Sequence, residues 1–414
     1  MASAVYLVLA SCMFYFTGAT ITVGGIGFMY RYLLGIFIVI IAFFAFMVRP
    51  RLRRLVLLMK YSLVLALPYL LVLLFSFGLW ILRLESFRFM LRGIFYVGYV
   101  LLAFFVAAAT VYLFGRKGIW HCLAAALIAY SIHITQVVLE GGPGEFMRQF
   151  AALVTSFGND TGTMMRELEL HTFVFALWTF LLYLLAAAKT AGHKLQWCFI
   201  TAVTLLFALV GFKRIAVLGI LCAVVIERGL SILPETAARR GAKLIGYGLI
   251  TAAFLYIVAV HMGLFTYLEE EWNVDTNTRS EIYRYLNTQY EINPFYMGKG
   301  VAFDSKPWDM SAVTDLTIRQ NAYHNDFLRM YIELGFIGFL IWGWLCFVYQ
   351  PGYFFKRQGK QGGLFYFAYC VYNAVLYTTD NTVYYYYGSL VIFLLAMSYR
   401  VEELEKEELP YYEA

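Results

Sequence analysis

The sequence predicts an all-α polytopic membrane protein with about twelve transmembrane helices and one long hydrophilic loop late in the chain. Of its 414 residues, 62% are hydrophobic and only 14% are charged, against about 45–50% and about 25% in soluble domains. The apolar segments are near the length of about 20 residues that crosses a bilayer as a helix, and they lack the short alternation of a membrane barrel. A soluble fold is therefore excluded. The net charge of +6 is modest and not gathered on one face, which argues against a nucleic-acid partner.

The predicted spans are the apolar runs between charged interruptions. They lie near residues 4–29, 32–48, 57–80, 93–114, 119–139, 172–188, 195–212, 214–227, 244–265, 331–354, 364–380 and 382–400. Two hydrophilic stretches separate them, residues 140–171 and the longer residues 266–330. We expect residues 1–414 to form a single integral membrane domain, with the loop 266–330 outside the cytoplasm.

The positions of lysine and arginine predict the orientation. With about twelve spans, most basic clusters fall on one side, which the positive-inside rule assigns to the cytoplasm together with both termini. These clusters are Arg49/Arg51/Arg53/Arg54, Arg116/Lys117, Lys189/Lys194, Arg228/Arg239/Arg240/Lys243 and Lys356/Arg357/Lys360. The long loop, in which acidic residues outnumber basic ones, then lies on the outer side.

Three arginines disobey this rule, because Arg83, Arg88 and Arg92 fall on the outer side. Such arginines either extend to lipid headgroups as simple anchors or form a cationic shelf for an anionic headgroup. Both interpretations stay open, and Arg88 is a candidate contact for a phosphate.

A further cationic pair, Lys213 and Arg214, interrupts what would be one apolar stretch of about 30 residues. Two helices must therefore turn near these residues, at the outer surface. Because a cation at membrane depth costs a few kcal/mol, it tends to be kept where it faces a polar cavity or an anionic partner. An interfacial anchor is the alternative.

The long loop carries Arg279 and Arg284, which are five positions apart. On a helix they project about 140° apart, so only one is expected to point at a given site. Arginine suits phosphate because its planar fork donates two parallel hydrogen bonds and keeps its charge.

The loop continues through Pro294 to Gly298-Lys299-Gly300. These glycines lack the rest of a P-loop and predict a tight turn, in which Lys299 is a further candidate contact for phosphate.

The loop then ends in Tyr323-His324-Asn325, where it re-enters the membrane. Histidine accepts a proton near neutral pH, which suits a general base on a sugar hydroxyl. No second histidine lies at ligand spacing from His324, so the sequence favours chemistry without a metal.

In their order and topology, these elements resemble the family of O-antigen ligases and Wzy-type O-antigen or capsule polymerases. Members carry an arginine at a short outer turn, an arginine early in a long loop, a P-x-x-G-x-G turn and an H-N-x-x-L…G-x-x-G entry into the next helix. The corresponding elements here are Lys213-Arg214, Arg279, Pro294 to Gly300, and His324-Asn325-Asp326-Phe327-Leu328 followed by Gly335 and Gly338. The resemblance covers roughly residues 195–355.

The resemblance implies a GT-C-like, metal-independent, inverting glycosyltransferase of the bacterial plasma membrane that needs no cofactor. Its donor would be an undecaprenyl-diphosphate-linked oligosaccharide, its acceptor another glycan, and a chain-length regulator is a further candidate partner. Arg214, Arg279 and His324 would be catalytic. The residues expected to hold the diphosphate or sugar are Arg284, Lys213, Lys299, Arg88, Tyr323 and Asn325.

Alternatives to the polymerase remain. An O-antigen ligase would transfer the glycan to lipid A core, but the fairly short outer loop favours a polymerase. A transporter or flippase for lipid-linked sugars is the second alternative, although no internal repeat is visible. The aromatic run Tyr384 to Tyr387 could line a groove for sugar or lipid, whereas an interfacial belt is the simpler interpretation.

Overall fold

The computed structural model shows a predominantly helical protein in which one short hairpin interrupts the helices. The structure describes residues 2–16, 18, 20–23, 26–155, 162–169, 173–187, 194–274, 276, 279–303 and 323–403. The acidic residues Asp304, Asp309 and Asp315 of the predicted outer loop lie outside these ranges. Side chains of residues 21–23, 26–28, 154 and 169 are also outside the description.

The helices follow the apolar runs closely. They are α1 Ala2–Tyr15, α2 Tyr30–Val48, α3 Leu52–Leu82, α4 Phe87–Phe114, α5 Gly118–Gly141, α6 Pro143–Thr155, α7 Thr163–Glu169, α8 Val174–Ala187, α9 Lys194–Val210, α10 Arg214–Ile232, α11 Glu235–His261, α12 Leu264–Trp272, α13 Arg279–Leu286, α14 Asp326–Trp344, α15 Gln350–Leu376 and α16 Tyr386–Ser398. A 3₁₀ turn, Gly115–Lys117, joins α4 to α5, and a π-helical segment, Leu345–Tyr349, joins α14 to α15.

Six helical segments in the described part of the chain are long and apolar enough to cross a membrane. They are Tyr30–Val48, Leu52–Leu82, Phe87–Gly141, Arg214–Ile232, Glu235–His261 and Asp326–Leu376. Three shorter apolar helices are α1, α8 and α9. Each of the twelve predicted segments overlaps a helix, but the six long ones do not establish twelve spans, so that number stays a prediction.

The first predicted span, residues 4–29, is wrong in its extent. Helix α1 ends at Tyr15, and strands β1 (Thr20–Val23) and β2 (Ile26–Met29) form an antiparallel hairpin in which Val23 pairs with Ile26. The physical reason is local, because β-branched residues favour strands and Gly24-Gly25 supplies the dipeptide that two-residue hairpin loops prefer. Apolar content alone did not distinguish this strand pair from a helix.

The chain divides into two compact units. Unit 1 comprises Met1–Leu65, Tyr99–Ser231 and Tyr385–Ala414, and unit 2 comprises Ala66–Gly98 and Ile232–Tyr384. Helices α3 and α4 contribute residues to both. The single integral membrane domain stays a prediction.

Unit 1 is built around α8, in which every residue from Val174 to Leu184 is buried. A helix that is apolar on all sides belongs in a core, and α8 packs against α9 and α16. Tyr386 and Tyr387 are only 3% and 0% exposed, and the ring of Tyr387 stacks on Phe14 with centroids 5.0 Å apart. The interfacial-belt interpretation is therefore wrong for these two tyrosines.

The predicted helical turn at the Lys213/Arg214 pair is also present in unit 1. Helix α9 ends at Val210 and α10 begins at Arg214. The carbonyl of Lys213 accepts hydrogen bonds from the N–H groups of Ala216 and Val217 at 2.9 and 3.2 Å, which starts the new helix. The charged pair thus marks the break in the apolar stretch, as its sequence indicated.

Unit 2 is organised around two breaks in the stretch from α14 to α15. Gly335 and Gly359 have φ values of +70° and +71°, which no helix accommodates. Continuous helix therefore runs from residue 336 through the π-helical segment to residue 358, between the two glycines. The break at Gly359 falls in the predicted cytoplasmic connection, and the break at Gly335 shapes the candidate site.

Helix α11 packs against the π-helical segment at very short range. A Cβ atom added to Gly246 would lie 2.3 Å from the carbonyl oxygen of Phe347, closer than any real contact. Gly248 lies two residues after Gly246 on the same helix, and a Cβ atom added there would meet nothing within 4 Å. The first glycine permits the backbones to meet, whereas the second faces open space.

We expect Gly246→Ala to lower the thermal unfolding midpoint of the purified protein in detergent, because the new methyl group pushes α11 away from Phe347. The matched control Gly248→Ala should keep or raise the midpoint, since alanine favours a helix over glycine by about 1 kcal/mol. Equal midpoints for both variants would show that the close approach does not limit stability.

Candidate functional site

The candidate site in unit 2 begins where the long loop enters α14. His324 has a left-handed backbone with φ +48°. The side-chain oxygen of Asn325 accepts a hydrogen bond from the N–H of Leu328 at 3.0 Å and so caps the helix. Asn325 is 0% exposed. The structure therefore gives this predicted substrate contact a capping role.

Asp326 connects the start of α14 to residues 377–383, here called the 377–383 turn. Its N–H donates to the carbonyl of Tyr377 at 2.9 Å. Its carboxylate accepts from the N–H groups of Thr382 and Val383, the latter at 2.8 Å. The other carboxylate oxygen, Oδ1, is buried without a hydrogen-bond partner among the described residues. A buried acid that receives backbone donors holds the two segments in register.

Helix α13 contacts both the 377–383 turn and His324. The Arg279 guanidinium donates to the carbonyl of Thr379 at 3.1 Å, in the 377–383 turn. One turn further along α13, the Tyr283 hydroxyl donates to the carbonyl of His324 at 3.0 Å. Burial raises the pKa of Tyr283, so this hydroxyl stays protonated as a donor. Both Arg279 and His324 are half-buried, which leaves part of each side chain accessible.

The two arginines of α13 differ in their surroundings, as their spacing predicted. Arg284 is exposed, while Ser280, Ile282, Tyr283 and Leu286 form the buried face of the helix. Arg279 alone of this pair contacts the 377–383 turn. The prediction that only one of them serves a given site therefore fits Arg279.

A buried ion pair lies inside α14, two positions before the Gly335 break. Arg329 Nε is 3.1 Å from Glu333 Oε1, and the side chains are 5% and 0% exposed. The same Oε1 accepts from the N–H of Ala302 at 3.3 Å, and Oε2 accepts from the Tyr384 hydroxyl at 2.8 Å. A buried carboxylate requires such partners, because removing charge from water costs several kcal/mol.

Three tyrosine rings surround the Arg329 guanidinium. Its Cζ lies 4.6 Å from the ring centroid of Tyr384 and 5.5 Å from those of Tyr96 and Tyr323. Cations within about 6 Å of an aromatic face are attracted to it, most strongly where water is excluded. Tyr323, a predicted substrate contact, therefore also encloses the arginine of the ion pair.

The Gly-Lys-Gly turn packs its backbone into the Gly335 break. The N–H groups of Lys299 and Gly300 donate to the carbonyls of Ile332 and Glu333 at 2.7 and 2.8 Å. A Cβ atom added to Gly298 would lie 2.5 Å from the Gly335 nitrogen, and one added to Gly335 would lie 2.2 Å from the Tyr296 carbonyl oxygen. Only glycine fits at either position, so the two glycine motifs of the sequence interlock.

This interlock uses the backbone N–H groups of Lys299 and Gly300, which a phosphate-binding loop would direct at its ligand. The next two N–H groups of the turn are also used, because Val301 donates to the Ser76 hydroxyl at 2.8 Å and Ala302 donates to Glu333. The Arg83 guanidinium donates to the Gly298 carbonyl at 2.5 Å. Lys299 keeps its ammonium group, which lies 6.0 Å from the ring centroid of Phe303, as the remaining candidate for an anion contact.

The other predicted residues lie elsewhere. Arg88 is exposed at the second position of α4, whereas Arg83 is the outer arginine that contacts the Gly-Lys-Gly turn. Lys213 and Arg214 belong to unit 1, where the Lys213 ammonium lies 5.9 Å from the ring centroid of Phe175 and Arg214 is exposed.

Sequence reasoning missed the ion pair and its tyrosines. Arg329 and Glu333 are opposite charges four positions apart among apolar residues, a spacing that places them together on a helix. That signal was available, since ionisable residues within an apolar segment are expensive and usually paired. Tyr96 and Tyr384 come from distant parts of the sequence and carry no such signal.

Helix α13 thus carries the half-buried Arg279 and contacts the backbone of the half-buried His324. An arginine in this position can bind an anion, and a histidine can exchange a proton with a hydroxyl group. Among the residues that the structure describes, no three histidine, cysteine, aspartate or glutamate side chains are grouped so as to hold a metal ion.

No family model, no curated protein and no solved structure matches this chain.

The ion pair yields a prediction about stability. Arg329→Met leaves the Glu333 carboxylate charged and buried, which typically costs about 3–5 kcal/mol. The double variant Arg329→Met/Glu333→Gln should recover part of the loss, because a neutral amide removes the buried charge while its oxygen still accepts from the Ala302 N–H and its NH2 group donates to the Tyr384 hydroxyl oxygen. Thermal unfolding in detergent measures both variants.

The control for this prediction is Arg400→Met, which removes an ion pair with Glu403 at the surface, where Glu403 is 57% exposed. Its effect should be smaller, since exposed pairs contribute little. If the double variant were no more stable than Arg329→Met alone, the unpaired charge would not be the cause of the destabilisation.

Proposed function

We propose that this chain is a membrane glycosyltransferase that polymerises undecaprenyl-diphosphate-linked oligosaccharide repeat units into O-antigen, capsule or exopolysaccharide. It acts at the outer face of the bacterial plasma membrane, with about twelve spans in a GT-C-like arrangement and both termini in the cytoplasm. The reaction inverts the anomeric centre and needs no metal or cofactor.

One observation carries this proposal. Helix α13 holds Arg279 against the 377–383 turn and, through Tyr283, fixes the carbonyl of His324. These residues come from two separate motifs of the family that the sequence resembles, and they lie together within unit 2. Arg279 is a cation suited to binding phosphate, and His324 is a candidate base. Their contacts with one helix support transfer from a lipid diphosphate to a hydroxyl group.

The proposed chemistry assigns one role to each residue. As the bond between the sugar and the diphosphate breaks, negative charge grows on the leaving phosphate, and preorganised arginines stabilise it. Within unit 2, Arg279 takes this role, with Lys299 as a further candidate contact. His324 orients the acceptor hydroxyl or accepts its proton as the hydroxyl oxygen attacks opposite the leaving group.

A ligase is the alternative within the same chemistry, and it differs only in its acceptor, which would be lipid A core. The outer loop of residues 266–330 is fairly short for a dedicated site that binds a bulky lipid A core. This favours the polymerase. A transporter for lipid-linked sugars would use ionisable groups near the bilayer midplane and would make no new glycosidic bond.

An in vitro assay tests the function. Purified protein in nanodiscs receives undecaprenyl-diphosphate oligosaccharide alone, and the products are separated by gel and weighed by mass spectrometry. We expect a ladder in multiples of the repeat unit that is unchanged by EDTA. Transfer only after lipid A core is added would make the protein a ligase, and no transfer in either case would contradict a glycosyltransferase.

The roles of Arg279 and His324 are tested in the same assay. Arg279→Ala should lower the rate about 10²–10³-fold, the usual effect of removing one donor to developing charge. His324→Asn should lower it about 10²–10⁴-fold. Asparagine is chosen because it tolerates the left-handed backbone at this position.

The control for these variants is Arg148→Ala, which removes a 72% exposed arginine from α6, and it should leave the rate unchanged. Thermal unfolding midpoints of all variants should stay near that of the unaltered protein. Full activity of Arg279→Ala or His324→Asn would remove that residue from the mechanism, and a collapse of the midpoint would assign it a structural role.

A further inference from the structure

A second candidate site lies in unit 2, in a cavity of about 380 Å³ between α11 and the stretch from α14 to α15. Three basic side chains line it, Arg239, Lys243 and Lys356, together with the aromatic residues Trp344, Tyr349 and Tyr353. Among the described residues, no acidic side chain lines the cavity. Its residues are separate from Arg279, His324 and the 377–383 turn.

Small residues and the π-helical segment create this cavity. A π-helical turn contains an extra residue and widens the helix, often at a functional site. Ala242 and Gly352 line the cavity, and a Cβ atom added to Gly352 would meet nothing within 4 Å. Because Gly246 holds α11 against Phe347, the space beside this contact is fixed by packed backbone.

The charges of the cavity favour an anion. Arg239 and Lys243 are four positions apart, so they lie on one face of α11, where like charges repel. Lys356 adds a third positive charge from α15. All three side chains are exposed. A phosphate group would offset the repulsion and accept hydrogen bonds from the arginine fork and the ammonium groups.

The aromatic residues favour a lipid as the source of this phosphate. The rings of Trp344 and Tyr349 lie 5.3 Å apart, and Trp344 is 40% exposed. Tryptophan and tyrosine prefer the depth of lipid headgroups. Basic pockets between membrane helices on the cytoplasmic side bind anionic headgroups, and the basic clusters of this sequence predict that side for Arg239, Lys243 and Lys356.

We propose that the cavity between α11 and the π-helical segment binds the phosphate headgroup of an anionic phospholipid. The basic side chains contact the phosphate, and the aromatic rings pack along the glycerol region. The site does not depend on the proposed glycosyl transfer.

Native mass spectrometry of the full-length protein tests this proposal, with phosphatidylglycerol or phosphatidylcholine added to the detergent solution. We expect the protein to retain phosphatidylglycerol at least about tenfold better. Lys243→Gln should weaken retention roughly fivefold, from about 1 kcal/mol per basic residue. Gly352→Leu should abolish retention without changing any charge, because the side chain fills the cavity.

Two matched controls should retain the lipid as the unaltered protein does. Arg240→Gln removes a neighbouring exposed charge that does not line the cavity, and Gly248→Leu adds the same side chain to α11 where there is open space. Equal losses for Arg240→Gln and Lys243→Gln would overturn the site in favour of diffuse attraction. Unchanged retention in Gly352→Leu would also overturn it.

The source of the phosphate is tested by competition with glycerol 3-phosphate at millimolar concentration. We expect no displacement of phosphatidylglycerol, because the aromatic rings contact the lipid beyond its phosphate. Complete displacement, with binding of glycerol 3-phosphate alone, would replace the lipid by a soluble phosphate ester and so overturn the proposal.

Discussion

The carboxylate of Glu333 is the point on which the structure of unit 2 depends. One of its oxygens accepts from Arg329 and from the N–H of Ala302, the other accepts from Tyr384, and the backbone carbonyl of the same residue accepts from Gly300. Hydrogen-bond donors offset the cost of removing a carboxylate from water, and both oxygens of Glu333 have them. Because those donors come from α14, the loop after α13 and the residue after the 377–383 turn, one charge unites three segments.

Backbone geometry complements that charge. The break at Gly335 turns carbonyls away from the helical pattern, and the N–H groups of Lys299 and Gly300 satisfy two of them. Buried backbone groups must find partners, so a break in one helix requires a partner such as the Gly-Lys-Gly turn. The glycines that predicted a tight turn in the sequence allow two segments of backbone to come into close contact.

Features that depend on the length of apolar segments or on local charge were predicted well from the sequence. The helices follow the apolar runs, and Lys213 and Arg214 marked the turn before α10. The hairpin Thr20–Met29 was missed because its residues are as apolar as those of a helix, and only the glycine pair and β-branched residues distinguish it. The tyrosine rings around Arg329 could not be predicted from the sequence for another reason. Tyr96 and Tyr384 are distant in sequence and contact Arg329 only through tertiary packing. The complete burial of Asn325 was likewise not predictable, since an asparagine at this position could serve either helix capping or substrate binding.

The contact between Ser76 and Val301 joins residues 225 positions apart, and the one between Arg83 and Gly298 spans 215 positions. At the usual rate of translation, about 10 to 45 seconds pass between the synthesis of α3 and that of its contact partners Gly298 and Val301. During that interval Trp80, which is 0% exposed in the finished protein, has no Gly300 beside it. A nascent chain that ends before Tyr296 already contains every helix up to α13. The indole of Trp80 still lacks its contact with Gly300 at that stage. Unit 2 thus reaches its final form only after most of the polypeptide has left the ribosome.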